Sequence, residues 1–263
     1  MTSAGCSKPH TDLTLALAGA EDRLQLVLGA DGPNGPTLLA SREWTVPGQS
    51  VRFLVPGLHE TLAGLGANMD AVSRIACVNG PGSFTGLRIV LAAAEGLAAG
   101  RNLPRAGIDY LPLLASGPAS IAQGILHVLT YARRGLVYFQ SFNLPSLYEA
   151  HPLVSCTLEQ AAAQMTAMGD EAMLLGTGLR KNSDFFAEFV NGSPGYRLLP
   201  PMWDHPSPQG LLSAAYRANF AQSPIAPVYL RPSDAEDNLP QIARQRGLDP
   251  EVARERLERL RQE

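Results

Sequence analysis

The chain has 263 residues, 45% of them hydrophobic and 17% charged, which is long enough to bury a large core and too apolar for a disordered segment. Its net charge of −3 argues against a protein that grips a nucleic-acid backbone by itself through a basic face.

Met1 to Thr11 are polar and predict a frayed end. They hold no apolar run of the kind a signal peptide needs. Leu13–Leu17 and Arg23–Leu28 read as strands. Asp31 to Pro36 reads as a turn and Leu38–Val46 as a third strand, so the chain opens with an antiparallel meander. A helix follows from Ser50 to Leu65. Ser50 is its expected cap, Pro56 is an expected kink, and Leu54, Leu58 and Leu62 recur at helical spacing. Arg74–Asn79 is an apolar run and predicts a buried strand. Gly80–Gly86 predicts a glycine-rich turn, and Leu87–Gly100 a second helix.

The second half repeats the theme without repeating the residues. Ile125–Tyr131 and Leu136–Phe142 predict a hairpin. Thr157–Met168 predicts a helix with a capping box of Thr157 and Gln160. Ala172–Leu175 is a short strand running into Gly176-Thr177-Gly178. Asn182–Val190 and Pro208–Ala221 predict helices. Together these elements predict an α/β fold of two subdomains, each a mixed sheet with helices packed on it. The expected division is 1–105, 106–205, a returning segment at 206–232 and a charged helical tail at 233–263. In that tail Ala253, Leu257 and Leu260 form a narrow apolar stripe. The longest uncharged stretch, Leu111–Thr130, is broken by Pro112, Gly117, Pro118 and Gly124, so it is a poor membrane span and the expected location is the cytosol.

Few residues point to catalysis. The three cysteines, Cys6, Cys77 and Cys156, are far apart, and no two of the five histidines fall within one helical turn. Neither set forms a metal motif. Ser83 lacks the G-x-S-x-G frame of an activated nucleophile. Gly80-Pro81-Gly82-Ser83-Phe84-Thr85-Gly86 joins a buried strand to a helix. It is either a tight structural turn or, through Gly82, Ser83 and Thr85 at the helix start, an anion site. The helix behind it carries only Arg88 and Glu95 as charges, and Gly86, Ala93, Gly96 and Gly100 lie along one stripe. A helix so nearly uncharged is covered by its own core or by a partner.

The run GPGSFTGLR at Gly80–Arg88 resembles the signature of the TsaB (YeaZ) family. Asp70-Ala71-Val72, Ala132-Arg133, Val137-Tyr138, Gly176-Thr177-Gly178 and Pro227-Val228-Tyr229-Leu230-Arg231 resemble the motifs around it, in order. The resemblance implies an actin-like, ribonuclease H-like fold. It also implies a non-catalytic subunit of the machinery that places threonylcarbamoyl on adenosine 37 of tRNA. The implied partners are a TsaD-like catalytic subunit and a TsaE-like ATPase, with tRNA bound indirectly and ATP and Mg²⁺ used by the complex. A homodimer in isolation is a further expectation. By this carry-over the partner surface comprises Leu54, Leu58, His59, Leu62, Arg88, Ala92, Ala93, Gly96 and Gly100. The alternative is a stand-alone actin-fold ATPase or a peptidase homologue of the M22 type. The sequence departs from the family at Leu17-Ala18-Gly19-Ala20, where the family usually has Asp-Thr-Ser. Alanine cannot hold a metal–phosphate group, and that weighs against a nucleotide site of the chain's own.

Overall fold

A computed structural model describes residues 12–230 and 239–252, together with Arg256 and Arg259. Residues up to Val228 form one compact unit, and those from Tyr229 form a second.

The first unit holds two five-stranded sheets of the same design. In the first sheet, β1 (Leu13–Ala18), β2 (Arg23–Gly32) and β3 (Gly35–Thr45) form an antiparallel meander, and β4 (Val72–Gly80) and β5 (Arg105–Asp109) add in parallel beyond β1. In the second sheet, β6 (Gly124–Arg133), β7 (Leu136–Leu144) and β8 (Tyr148–Thr157) form the meander. There β9 (Ala172–Leu175) and β10 (Tyr196–Leu198) add in parallel beyond β6. Helices fill corresponding gaps. α1 (Ser50–Gly64) and α4 (Leu158–Ala167) follow the two meanders. α2 (Phe84–Arg101) follows β4, while α5 (Thr177–Lys181) and α6 (Ser183–Gly192) follow β9. This is the actin-like, ribonuclease H-like arrangement of two mixed sheets with helices packed on them.

The strands follow from burial. All six residues of β1 are buried, as a strand between a meander and a parallel partner requires. β3 alternates between exposed and partly covered positions, the pattern of an edge strand. Several elements escape the periodicity. β5 and β10 are short and place polar residues outward, and the edge strand β8 carries Pro152. α3 (Tyr110–Ser116) forms although Pro112 lies in it. A proline in the first turn loses no intrahelical bond, because the amides there have no acceptor.

Other expectations are corrected. Gln49, not Ser50, sits at the N-cap of α1 without a side-chain bond, and Ser50 is buried in the first turn. α2 runs to Arg101 and closes on Asn102 in the left-handed conformation, φ 51°. α7 (Pro208–Arg217) stops short of Ala221, since Ala218 is extended and Ala221 exchanges backbone hydrogen bonds with Arg105 at 2.8 and 2.9 Å. The capping box of Thr157 and Gln160 is present with both bonds made. α7 packs on β1, β2 and β3. Residues 221–228 then run along β5 and β4, where the Val228 amide donates to Asn79 O at 2.8 Å.

In the second unit, α8 (Leu239–Gln245) ends in a turn at Gly247, φ 68°, and the Asp249 side chain accepts from the Glu251 amide. The expected frayed end at Met1–Thr11 and the stripe of Ala253, Leu257 and Leu260 lie outside the described residues.

Candidate functional site

An open, largely apolar groove lies between α1 and α2. It has a volume of about 510 Å³ and is lined by Val51, Val55, Phe84, Ile89, Ala92 and Ala93, among others. Val51 is 67% exposed, Val55 60% and Phe84 38%. The Arg88 guanidinium stacks over the Phe84 ring at 3.8 Å, a cation–π contact that places its charge on the ring face.

The two helices are amphipathic in different ways. α1 buries Leu54, Leu58 and Leu62, which are 2%, 4% and 2% exposed. All three face the core; of these expected partner-surface residues only Leu54 also lines the groove. The outward row of α1 is Val51, Val55 and His59. The sequence carried a signal for it, since Val51 and Val55 stand four apart and widen the apolar stripe beyond what one packed face needs. α2 buries Leu87, Val90, Leu91, Ala94 and Ala98. Arg88, Ala92, Gly96 and Gly100 are exposed and Ala93 is half-buried. A methyl group added at Gly96 or Gly100 would meet nothing within 4 Å. Gly86 leaves the stripe, because a methyl there would lie 2.4 Å from Gly19 O.

Glu95, the one acidic residue of α2, serves the chain's own packing. It pairs with Arg105 Nε at 2.8 Å and accepts from the Ile225 amide at 2.7 Å.

The loop Gly80–Gly86 is packed on the β1–β2 connection. The Ser83 amide donates to Ala20 O at 2.6 Å, and the Gly86 amide donates to Ser83 Oγ at 3.3 Å, which caps α2. A methyl at Gly82 would fall 2.2 Å from Ala20 O. Two of the amides that an anion at Gly82, Ser83 and Thr85 could use are therefore engaged within the chain. Among the described residues no group of three or more His, Cys, Asp or Glu could hold a metal ion. None of the described helices is long and apolar enough to cross a membrane.

The seam between the two sheets holds a residue the sequence did not single out. Glu21, on the β1–β2 connection, accepts from Tyr110 Oη at 2.8 Å and from Thr177 Oγ1. Burial of the carboxylate end raises its pKa to about 7, against the lowering effect of those hydrogen bonds and of Lys181. A lone Glu after an apolar strand reads as a surface turn. Only its contacts with Tyr110 and Thr177 make it a half-buried, hydrogen-bonded acid.

A family model described as TsaD, tRNA N6-adenosine threonylcarbamoyltransferase, matches residues 49–183, just over half of the chain. The chain belongs to this TsaD-type family, and within it to the TsaB (YeaZ) branch. The tRNA threonylcarbamoyladenosine biosynthesis protein TsaB of Haemophilus influenzae is 30% identical over 152 residues, which are 53% of this chain and 63% of that protein. Its namesake in Escherichia coli is 28% identical over 232 residues, 86% of this chain and 97% of that protein. A Pseudomonas aeruginosa crystal structure, described as similar to the peptidase YeaZ, superposes with a TM-score of 0.67 at 25% identity. It covers 84% of this chain and 100% of its own. The part of the chain that matches the Haemophilus protein thus spans under two thirds of that relative.

Proposed function

We propose that this chain is the non-catalytic, actin-like subunit in the biosynthesis of threonylcarbamoyladenosine on tRNA, and that it docks a TsaD-like catalytic partner in the groove between α1 and α2. The observation that carries the reading is an open apolar groove on two helices whose inner faces already fill the core. Val51 and Val55 keep more than half their surface in water, and small residues leave α2 open to close approach by another helix. Continuous apolar surface of this kind marks an interaction site. The names of the matched relatives supply the process.

A nucleotide site of the chain's own does not belong to this reading. A metal-bound polyphosphate needs a carboxylate at the end of β1 and free amides in the loop after β4. The residues there are the buried Ala18 and a loop in which the Ser83 and Gly86 amides are already bonded within the chain. These groups do not fit it. ATP and Mg²⁺ belong to the assembled complex, with a TsaE-like ATPase as its further member. The chain reaches tRNA only through that complex.

The test is to mix the protein with TsaD and follow co-elution and tRNA modification, using native chain and Val55→Glu. A charge placed in the groove is expected to weaken pairing at least 30-fold, the equivalent of about 2 kcal/mol. The monomer should melt at its native temperature, because Val55 is exposed. Undiminished pairing by Val55→Glu, or full modification without this subunit, would refute the proposal.

A further inference from the structure

An acid on the β1–β2 connection reaches into the seam between the two sheets and is held there by two hydroxyls. Glu21 extends from the first sheet. Tyr110, at the start of α3, donates to one carboxylate oxygen at 2.8 Å. Thr177, at the start of α5 in the second sheet's half, donates to the other. Thr177 Oγ1 in turn accepts from the Tyr131 amide of β6 at 3.1 Å. The charges facing Glu21 come from every side of the seam. Lys181 of α5 attracts it while paired with Asp22 at 2.8 Å, and Arg23 of β2 and Asp204 act on Tyr110 from opposite directions. Beside them Gln25 donates to Pro206 O at 2.7 Å, and Arg180 of α5 holds Asp204 at 2.9 Å.

We propose that Glu21 is a built-in latch between the two halves. Its side-chain acid fills a small pocket of donors, Tyr110 Oη and Thr177 Oγ1 backed by the Tyr131 amide, and it fixes the angle between the sheets without any bound ligand. The pocket takes a carboxylic acid group, and in this chain the chain itself supplies it. Both hydroxyls converge on a single half-buried side chain, so removing it takes the acceptor from two buried donors. The inference is independent of the groove between α1 and α2, which shares none of these residues.

Protonation should tune the latch. Burial raises the folded acid to about 7, whereas an exposed glutamate loses its proton near 4.5. Between those values the folded state binds the extra proton, so the stabilisation is complete below about 4.5 and declines as pH rises through about 7.

The experiment uses the full chain with Glu21→Ala and Glu21→Gln. The fragment removed in Glu21→Ala has the size and chemistry of acetic acid. Glu21→Ala should melt lower by roughly 3–8 °C, and its amides at Tyr131 and Gly176 should exchange faster with solvent. Acetate at pH 5.5 should restore at least half of that loss, relative to chloride at equal ionic strength, and should leave the native chain unchanged. Glu21→Gln should melt like the native chain at pH 5.5 and above it at pH 8. Native melting and exchange in Glu21→Ala, or equal responses to acetate and chloride, would overturn the proposal. Should Glu21→Ala fail to fold, the pH profile of Glu21→Gln decides, and a profile parallel to that of the native chain sinks the latch.

Discussion

Gly82 and Gly96 should respond to alanine with opposite signs, and the reason lies in what each faces. At Gly82 the added carbon would sit 2.2 Å from Ala20 O and 2.9 Å from two further Ala20 backbone atoms. Those neighbours are backbone, so they cannot rotate away as a side chain would. Overpacking of this kind costs roughly 1–3 kcal/mol. The shift also strains the 2.6 Å bond from the Ser83 amide to Ala20 O, worth about 1 kcal/mol. The sum, about 2–4 kcal/mol, corresponds to a fall in melting temperature on the order of 5–15 °C for a unit of this size. At Gly96 nothing lies within 4 Å and the residue is inside α2, so alanine relieves the entropic cost of a helical glycine and should stabilise the monomer by about 0.5–1 kcal/mol. Thermal unfolding of the two purified variants checks both signs. A Gly82→Ala variant as stable as the native chain, or a destabilised Gly96→Ala, would refute the view that the signature loop is held by packing and that the α2 stripe is open. If a helix docks on that stripe, Gly96→Ala should also weaken co-elution with TsaD despite its greater stability.

Asp204 is 3% exposed and accepts from the Gly176 amide and from Arg180 Nε, both at 2.9 Å. Asp204→Ala leaves Arg180 without its counter-ion and should cost about 3–5 kcal/mol in chemical denaturation; a loss under 1 kcal/mol would show that the seam does not depend on this pair. His127 is 1% exposed, bonded to Ser141 Oγ at 2.7 Å, and burial lowers its pKa from 6.5 to about 4. The unfolded chain therefore takes up a proton that the folded chain refuses, and stability falls as pH drops from about 6.5 towards 4, by up to about 3 kcal/mol. In His127→Gln that decline should flatten, and an unchanged acid limb would mean the ring is not held neutral. The trend is opposite in sign to that of Glu21, so the two variants separate the contributions.

The sequence by itself determined the elements whose residues speak locally. The mostly apolar run Leu13–Leu17, broken only by Thr14, marks a strand, Thr157 and Gln160 mark a helix start, and the nine residues Gly80–Arg88 mark both the strand-to-helix turn and the family. It also carried the apolar groove in outline, because α2 is too poor in charge for an ordinary surface helix. The tertiary structure decided which side of each helix is open. Leu58 and His59 are adjacent in the expected partner surface, and the packing of α1 on β2 and β3 sends the first inward and leaves the second in solvent. It also decided the short strands β5 and β10, whose few apolar residues become strands through the ladder offered by β4 and β9. Glu21 is the sharpest case. Its hydrogen-bond partners lie 89 and 156 residues away, so no local pattern marks it, and its chemistry comes from two hydroxyls that only the folded chain brings to it.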